Sequence, residues 1–231
     1  MDAVILTAGR GERLRPITDK IPKPLIEIAG KPILEYIIKD LSNSGFRRIF
    51  FVVGYLKEAI ISFVNKIKEK YNIEPIFIVQ EELLGTAHAI SLLPENISEN
   101  FLVLAGDSII YGISLDALKE KNIPLYVLQK TKDSLRKSIV EIDGNKIKNI
   151  YYNKEKIFSE TVFADTSIIV LPKIAIEYAK KETYSSDIYL SNVVDKLIKD
   201  GTLFKFIEFN GKIKHFTTMN DLEKSQNPSG F

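Results

Sequence analysis

From residue 3 to about residue 130, short apolar runs alternate with stretches of helical period. That alternation predicts an open, mostly parallel sheet covered on both faces by helices. The runs are residues 3–7, 48–53, 75–79, 101–105 and 124–128. Between the second and third, Leu56, Ala59, Ile60, Phe63 and Ile67 recur at helical spacing; earlier, Ile33, Tyr36, Ile37 and Leu41 do the same and stop at Gly45. Both stripes read as core packing. Beyond residue 130 the pattern turns β-rich: residues 138–142 and 146–152 flank the turn Asp143-Gly144-Asn145, and 161–171 form a further extended run. A last helix carries Leu190, Val193, Val194, Leu197 and Ile198 and ends at Gly201, with a strand at 203–209 behind it. The reading is a single domain over 1–231, with halves at 1–110 and 111–224 and a loose tail at 225–231.

Composition narrows the partners. Apolar residues make up 45% and charged residues 27%, as in an ordinary globular enzyme. The 32 basic and 30 acidic side chains are spread along the chain, without the basic stripe that polyanion binding requires, which argues against nucleic acid as a partner. With no cysteine, disulfides, thiolate nucleophiles and sulfur-ligated metals are excluded, and a cytoplasmic location is expected. The apolar run at 3–7 is far too short to span a membrane and lacks a basic leader, so no membrane partner is expected.

The chemistry concentrates where the first strand ends. In Leu6-Thr-Ala-Gly-Arg-Gly-Glu-Arg-Leu-Arg-Pro16, glycines at the carboxyl end of a buried strand let backbone N–H groups approach phosphate oxygens, while Arg13 and Arg15 supply charge. The spacing is neither the dinucleotide fingerprint nor the P-loop, and a tight surface turn is an equal reading of this segment alone. In Ile21-Pro-Lys-Pro-Leu25, two prolines flank Lys23 and predict an extended backbone that presents the ammonium rigidly. Alone, that segment reads better as an exposed lysine in a Pro-rich loop.

Taken in order, Ala8-Gly-Arg-Gly-Glu-Arg-Leu-Arg-Pro-Ile-Thr18, Pro22-Lys-Pro-Leu25 and Lys31-Pro-Ile-Leu-Glu-Tyr36 resemble the compound signature of the sugar-1-phosphate nucleotidylyltransferases. The resemblance implies a three-layer, Rossmann-like α/β nucleotidyltransferase fold, with residues 1–110 binding the NTP and a β-rich half binding the acceptor. It implies that Leu6, Ala8, Gly9 and Gly11 hold the nucleotide, that Arg13 steadies the departing pyrophosphate, and that Lys23 neutralises the phosphate under attack. Two further features keep that register. Gln80 ends a strand and Gly85-Thr86-Ala87 follows, where the family reads the base; an amide offers a donor and an acceptor to a pyrimidine edge. Asp107 ends the apolar run Phe101-Leu-Val-Leu-Ala-Gly, where a hard oxygen ligand suits Mg²⁺ held mainly by substrate phosphates.

The second half departs from the family's pattern. Lys137-Ser138 replaces its Tyr-Gly, and its Glu-Lys-Pro falls on Tyr152-Asn153-Lys154, with Glu155 and Lys156 one turn on. The sugar-pocket stretch becomes Asp165-Thr-Ser167, and the late acidic position and Leu-Thr-Asp become Asp187 and Leu190-Ser-Asn192. By resemblance, Ser138, Tyr152, Asp165 and Asp187 line the acceptor site. The second metal-binding carboxylate becomes His215, which reads equally as a ligand favouring Mn²⁺ and as an ordinary part-buried side chain. The implied activity is metal-dependent transfer of a nucleotidyl group from UTP or dTTP to a sugar 1-phosphate, with Mg²⁺, or Mn²⁺, on Asp107 and His215. The altered residues keep two alternatives open: a CTP-dependent cytidylyltransferase acting on phosphocholine or inositol phosphate, and a non-catalytic nucleotide-sugar-binding paralogue.

Overall fold

The structure, a computed structural model, describes residues 1–131, 138–152, 162–182, 189–216 and 218–226. Its strands are β1 (Asp2–Leu6), β2 (Glu27–Ile28), β3 (Lys31–Pro32), β4 (Arg48–Val53), β5 (Glu74–Val79), β6 (Asn100–Ala105), β7 (Ser108–Tyr111), β8 (Leu125–Thr131), β9 (Ser138–Asp143), β10 (Lys146–Tyr152), β11 (Val162–Pro172), β12 (Lys205–Glu208) and β13 (Lys212–His215). Its helices are α1 (Ile33–Asn43), α2 (Lys57–Ile67), α3 (Thr86–Ser91), α4 (Leu115–Lys121), α5 (Ala175–Glu182), α6 (Leu190–Lys199) and α7 (Met219–Gln226). Contacts divide the chain into two compact units, one of Asp2–Leu83, Ala105–Asp116 and Gly211–Phe231, the other of Leu84–Leu104 and Ala117–Asn210 with Met1. These units interleave along the chain, whereas the sequence pattern suggests contiguous halves meeting at residue 110.

In the first unit β4 lies between β1 and β5, both parallel to it, with Ile49 opposite Ala3 on one side and Pro75 on the other. Ala3, Val4 and Ile5 of β1 and Ile49 to Val53 of β4 have no exposed surface. Burial on both faces explains why these strands read as unbroken apolar runs rather than as alternating ones. Helix α1 buries Ile33, Leu34, Ile37, Ile38 and Leu41 and ends where Gly45 takes φ 72°, as the periodicity predicts. Asp2 is nearly buried and is held by Arg48 at 2.5 Å.

The second unit is β-rich, as expected. Its axis is the eleven-residue β11, antiparallel to β6, β8 and β9; β10 closes a hairpin on β9, and β12 runs parallel to β8. Where β11 passes from Asp165 to Ile169 its register on β8 slips. Ser167 adopts φ 61° there, and the Thr166 hydroxyl donates to the Val127 carbonyl at 2.6 Å. A second slip in β10, between Ile147 and Asn149, precedes the Ile150 N–H, which donates to Asp195 of α6 at 3.0 Å.

The α/β class and the long strands follow the sequence pattern closely. Strands β2, β3, β7 and β13, and helices α4, α5 and α7, have no counterpart in it: the strands are only two to four residues long, and α7 is mostly polar. Ser225 and Gln226, expected in a loose tail, are the last residues of α7. Lys137, Asn153, Lys154, Glu155, Lys156, Asp187 and the tail from 227 lie outside the described residues. No helix among the described residues is long and apolar enough to cross a membrane.

Candidate active site

The glycine-rich loop is stitched to the parallel sheet before it turns away. Leu6 accepts a backbone bond from Gly106 at 3.0 Å, and Ala8 accepts one from Tyr55 at 3.0 Å. Between them, the Thr7 hydroxyl donates to the Val52 carbonyl at 2.7 Å. Gly11 takes φ 65° and opens the single 3-10 turn Glu12–Leu14. A Cβ on Gly11 would lie 3.0 Å from Thr18 and 3.2 Å from Cβ of Lys23, so this glycine meets both the left-handed backbone and a crowded contact. Gly9 differs: a Cβ there meets no protein atom within 4 Å and its φ is not positive, so the fold itself does not require glycine. Arg13 is exposed on the 3-10 turn, and Arg15 pairs with Asp19 at 3.2 Å.

Contact with Gly11 brings Lys23 to the loop. The expected extended backbone is found at Pro22 (φ −62°, ψ 140°), but Lys23 itself opens the 3-10 turn Lys23–Leu25. Pro24 permits this because a proline near the start of a helical turn gives up an N–H that would lack a partner anyway. The Lys23 side chain is 10% exposed, and its Nζ lies 2.5 Å from Oδ2 of Asp107, whose side chain is 37% exposed. The turn that carries Asp107 is tight: a Cβ on Gly106 would fall 2.6 Å from Cγ2 of Thr7.

Asp107 continues into a relay. Ser108 Oγ donates to Asp107 Oδ1 at 3.1 Å and lies 2.8 Å from Nδ1 of His215. The antiparallel register of β7 and β13, which sets His215 opposite Ser108, brings these groups together. Burial pushes the Asp107 carboxyl upward, but the Lys23 charge and hydrogen bond, with His215 and Ser108, hold it below the usual carboxylate value. The fold therefore brings Lys23 onto Asp107 and links His215 to Asp107 through Ser108. Sequence reasoning missed Ser108, whose only local signal is a hydroxyl next to Asp107.

The remaining predicted residues have mixed placements. Gln80 follows β5, is 4% exposed, and donates its N–H to Val53 at 2.8 Å. Gly85, at φ 97°, starts α3, and the Thr86 hydroxyl accepts the Leu190 N–H at 2.8 Å. Ser138 is buried opposite Tyr152 in the β9–β10 hairpin. Ala164 pairs with Ile139, which sets Asp165 and Ser138 one step further along the same two strands. The Asp165 carboxylate accepts the Ser167 N–H, and with burial as the main cause its charge and hydrogen bond raise the Tyr126 phenol well above the usual range. Asn192 accepts the Tyr189 N–H and so caps α6. Asp187 lies outside the described residues.

Among the described residues no three His, Asp or Glu side chains are placed to hold a metal ion by themselves. Asp107 and His215, joined through Ser108, supply one oxygen and one nitrogen donor. That pair fits a divalent ion whose other ligands are waters and substrate phosphates, the usual mode for Mg²⁺.

The sequence profile of the nucleotidyl transferase family matches residues 2–212. The bifunctional protein GlmU of Methanococcus maripaludis is 37% identical over 214 residues, which cover 91% of this chain and 50% of that protein. The UTP–glucose-1-phosphate uridylyltransferase AglF of Haloferax volcanii is 38% identical over 122 residues, 52% of this chain and 49% of its own. The chain thus spans about half the length of the curated relatives it matches. A Bacillus anthracis protein assigned as a glucose-1-phosphate thymidylyltransferase, solved with sucrose, superposes with a TM-score of 0.85 at 21% identity, covering 98% of this chain and 94% of that one. This likeness shows the fold, the Rossmann-like α/β architecture that the sequence predicts.

Proposed function

The chain belongs to the nucleotidyl transferase family, and from that premise we propose that it moves a nucleotidyl group from UTP or dTTP onto a sugar 1-phosphate. An oxygen of the acceptor phosphate attacks the α-phosphorus, the bond from that phosphorus to the bridging oxygen breaks, and pyrophosphate leaves. The observation that carries this reading is the pairing of Lys23 with Asp107 at 2.5 Å, from a lysine whose stem packs beside Gly11. An ammonium held in place on a carboxylate, by a stem that packs against the glycine-rich loop, suits a reaction in which charge neutralisation and positioning supply most of the rate.

The residues divide the work. Backbone N–H groups around Gly9 and Gly11 receive phosphate oxygens, and the open space around Gly9 suits such an approach. Lys23 neutralises the phosphate under attack, and Arg13, exposed on its turn, receives the departing pyrophosphate. Gln80 reads the pyrimidine edge, with Gly85 and Thr86 on the nucleotide side as well. Asp107 and His215 would hold Mg²⁺, or Mn²⁺, which supplies additional positive charge to the phosphates. The name of the Haloferax relative supports UTP and a sugar 1-phosphate as the first pair to try.

The test is pyrophosphate release with UTP, dTTP and CTP in turn, each against sugar 1-phosphates, phosphocholine and inositol phosphate, with Mg²⁺ or Mn²⁺. The expected result is turnover with a uracil or thymine nucleotide and a sugar 1-phosphate. Turnover with CTP alone overturns the donor and acceptor assignment. Nucleotide binding without turnover on any acceptor identifies a binding paralogue instead.

A further inference from the structure

The relay from Lys23 to His215 contains a residue that the proposed chemistry leaves without a task. Ser108 is 3% exposed and has a single hydroxyl proton. The Asp107 carboxylate can only accept, so the 3.1 Å contact to its Oδ1 uses that proton. At 2.8 Å from Ser108 Oγ, Nδ1 of His215 must then be the donor, and in the neutral imidazole the lone pair falls on Nε2. We infer that Ser108 is a positioning residue that fixes the His215 tautomer, so that a neutral Nε2 is offered to a divalent cation beside Asp107. The inference rests on the proposed reading of Asp107 and His215 as cation ligands.

This role follows from the chemistry of the substitution. A carboxylate ligand needs no tautomer control, because either oxygen can bind a cation. An imidazole binds through one nitrogen, and the hydrogen bond at the other selects which. The β7–β13 register supplies that bond from the strand opposite, and the side chain that makes it also orients Asp107. One hydroxyl therefore aligns both donors.

The tautomer can be read without metal, nucleotide or turnover. The chain has two histidines, His88 and His215, so a His88→Gln variant assigns the long-range ¹H–¹⁵N imidazole spectrum. Recorded well above the ordinary histidine pKa of about 6.5, the unaltered protein should show His215 protonated at Nδ1, with Nε2 at the lone-pair shift. Ser108→Ala should lose that preference, and Ser108→Thr, which restores a hydroxyl, should recover it. Mn²⁺ binding to the nucleotide complex should weaken about 10- to 100-fold in Ser108→Ala and recover in Ser108→Thr. Thermal unfolding of each variant separates a folding defect from a tautomer change. A proton on Nε2 in the unaltered protein, or a Ser108→Ala spectrum unchanged at His215, overturns the inference. Failure of the proposed transfer reaction leaves the tautomer measurement intact, so the two ideas fail separately.

Discussion

Lys23 and the glycines show how much single side chains carry. Replacing Lys23 with methionine keeps the aliphatic stem that packs beside Gly11 and removes only the charge. Turnover should fall by about 100- to 1,000-fold, comparable with loss of one preorganised charge-stabilising donor, while the variant stays folded by circular dichroism. The glycines separate fold from function more sharply. Gly106→Ala puts a Cβ 2.6 Å from Thr7 and 2.8 Å from the Leu6 carbonyl, so it should cost about 1–3 kcal/mol in denaturant unfolding. Gly9→Ala meets nothing within 4 Å, so its unfolding midpoint should stay put while nucleotide affinity drops. A Gly9→Ala variant that binds nucleotide normally would remove Gly9 from the proposed phosphate cradle.

At the scale of the element, the β9–β10 hairpin is held by a charge arrangement on one face and by α6 on the other side of its irregular strand. Glu141 accepts from Tyr151, Asn149 and Lys148, and these bonds lower its carboxyl from 4.5 to about 2. A depressed folded value means the stabilisation is complete above about 4.5 and is lost as the pH falls toward 2. The stability gap between the unaltered chain and Glu141→Gln should therefore close over that range; a gap independent of pH would refute the assignment. Asp195 has a different duty, because it satisfies the Ile150 N–H of β10, the terminal strand of the sheet order. Asp195→Ala should leave that donor poorly satisfied and cost about 1–3 kcal/mol, with faster amide exchange at Ile150 as the local signature.

For the molecule as a whole, the chain's return is the decisive fact: after the second unit is complete, residues from Gly211 onward rejoin the first. They contribute β13 to pair with β7, His215 to the relay, and the buried Phe216 and Leu222. Phe216→Ala should cost about 3–5 kcal/mol and should weaken nucleotide binding as well, since it loosens the segment that carries His215. Calorimetry with and without nucleotide would separate the two effects. Much of this was open to a reader of the sequence, because backbone preferences act over a few residues. Apolar runs such as Val4 to Leu6 mark strands buried on both faces, Gly9 and Gly11 mark a tight turn, and Pro22 presents Lys23 wherever that segment is packed. Other features depended on which distant segments meet. Ser108 finds His215, 107 residues away, only because the chain returns to pair β13 with β7 after five intervening strands, which no local pattern encodes. Asp165, which the resemblance implies for acceptor binding, is engaged by Tyr126 and Ser167 at a slip in β11. Local chain chemistry chose the loop, the lysine and the carboxylate; the alignment of the imidazole with them came from strand register, which forms only when separated segments pack.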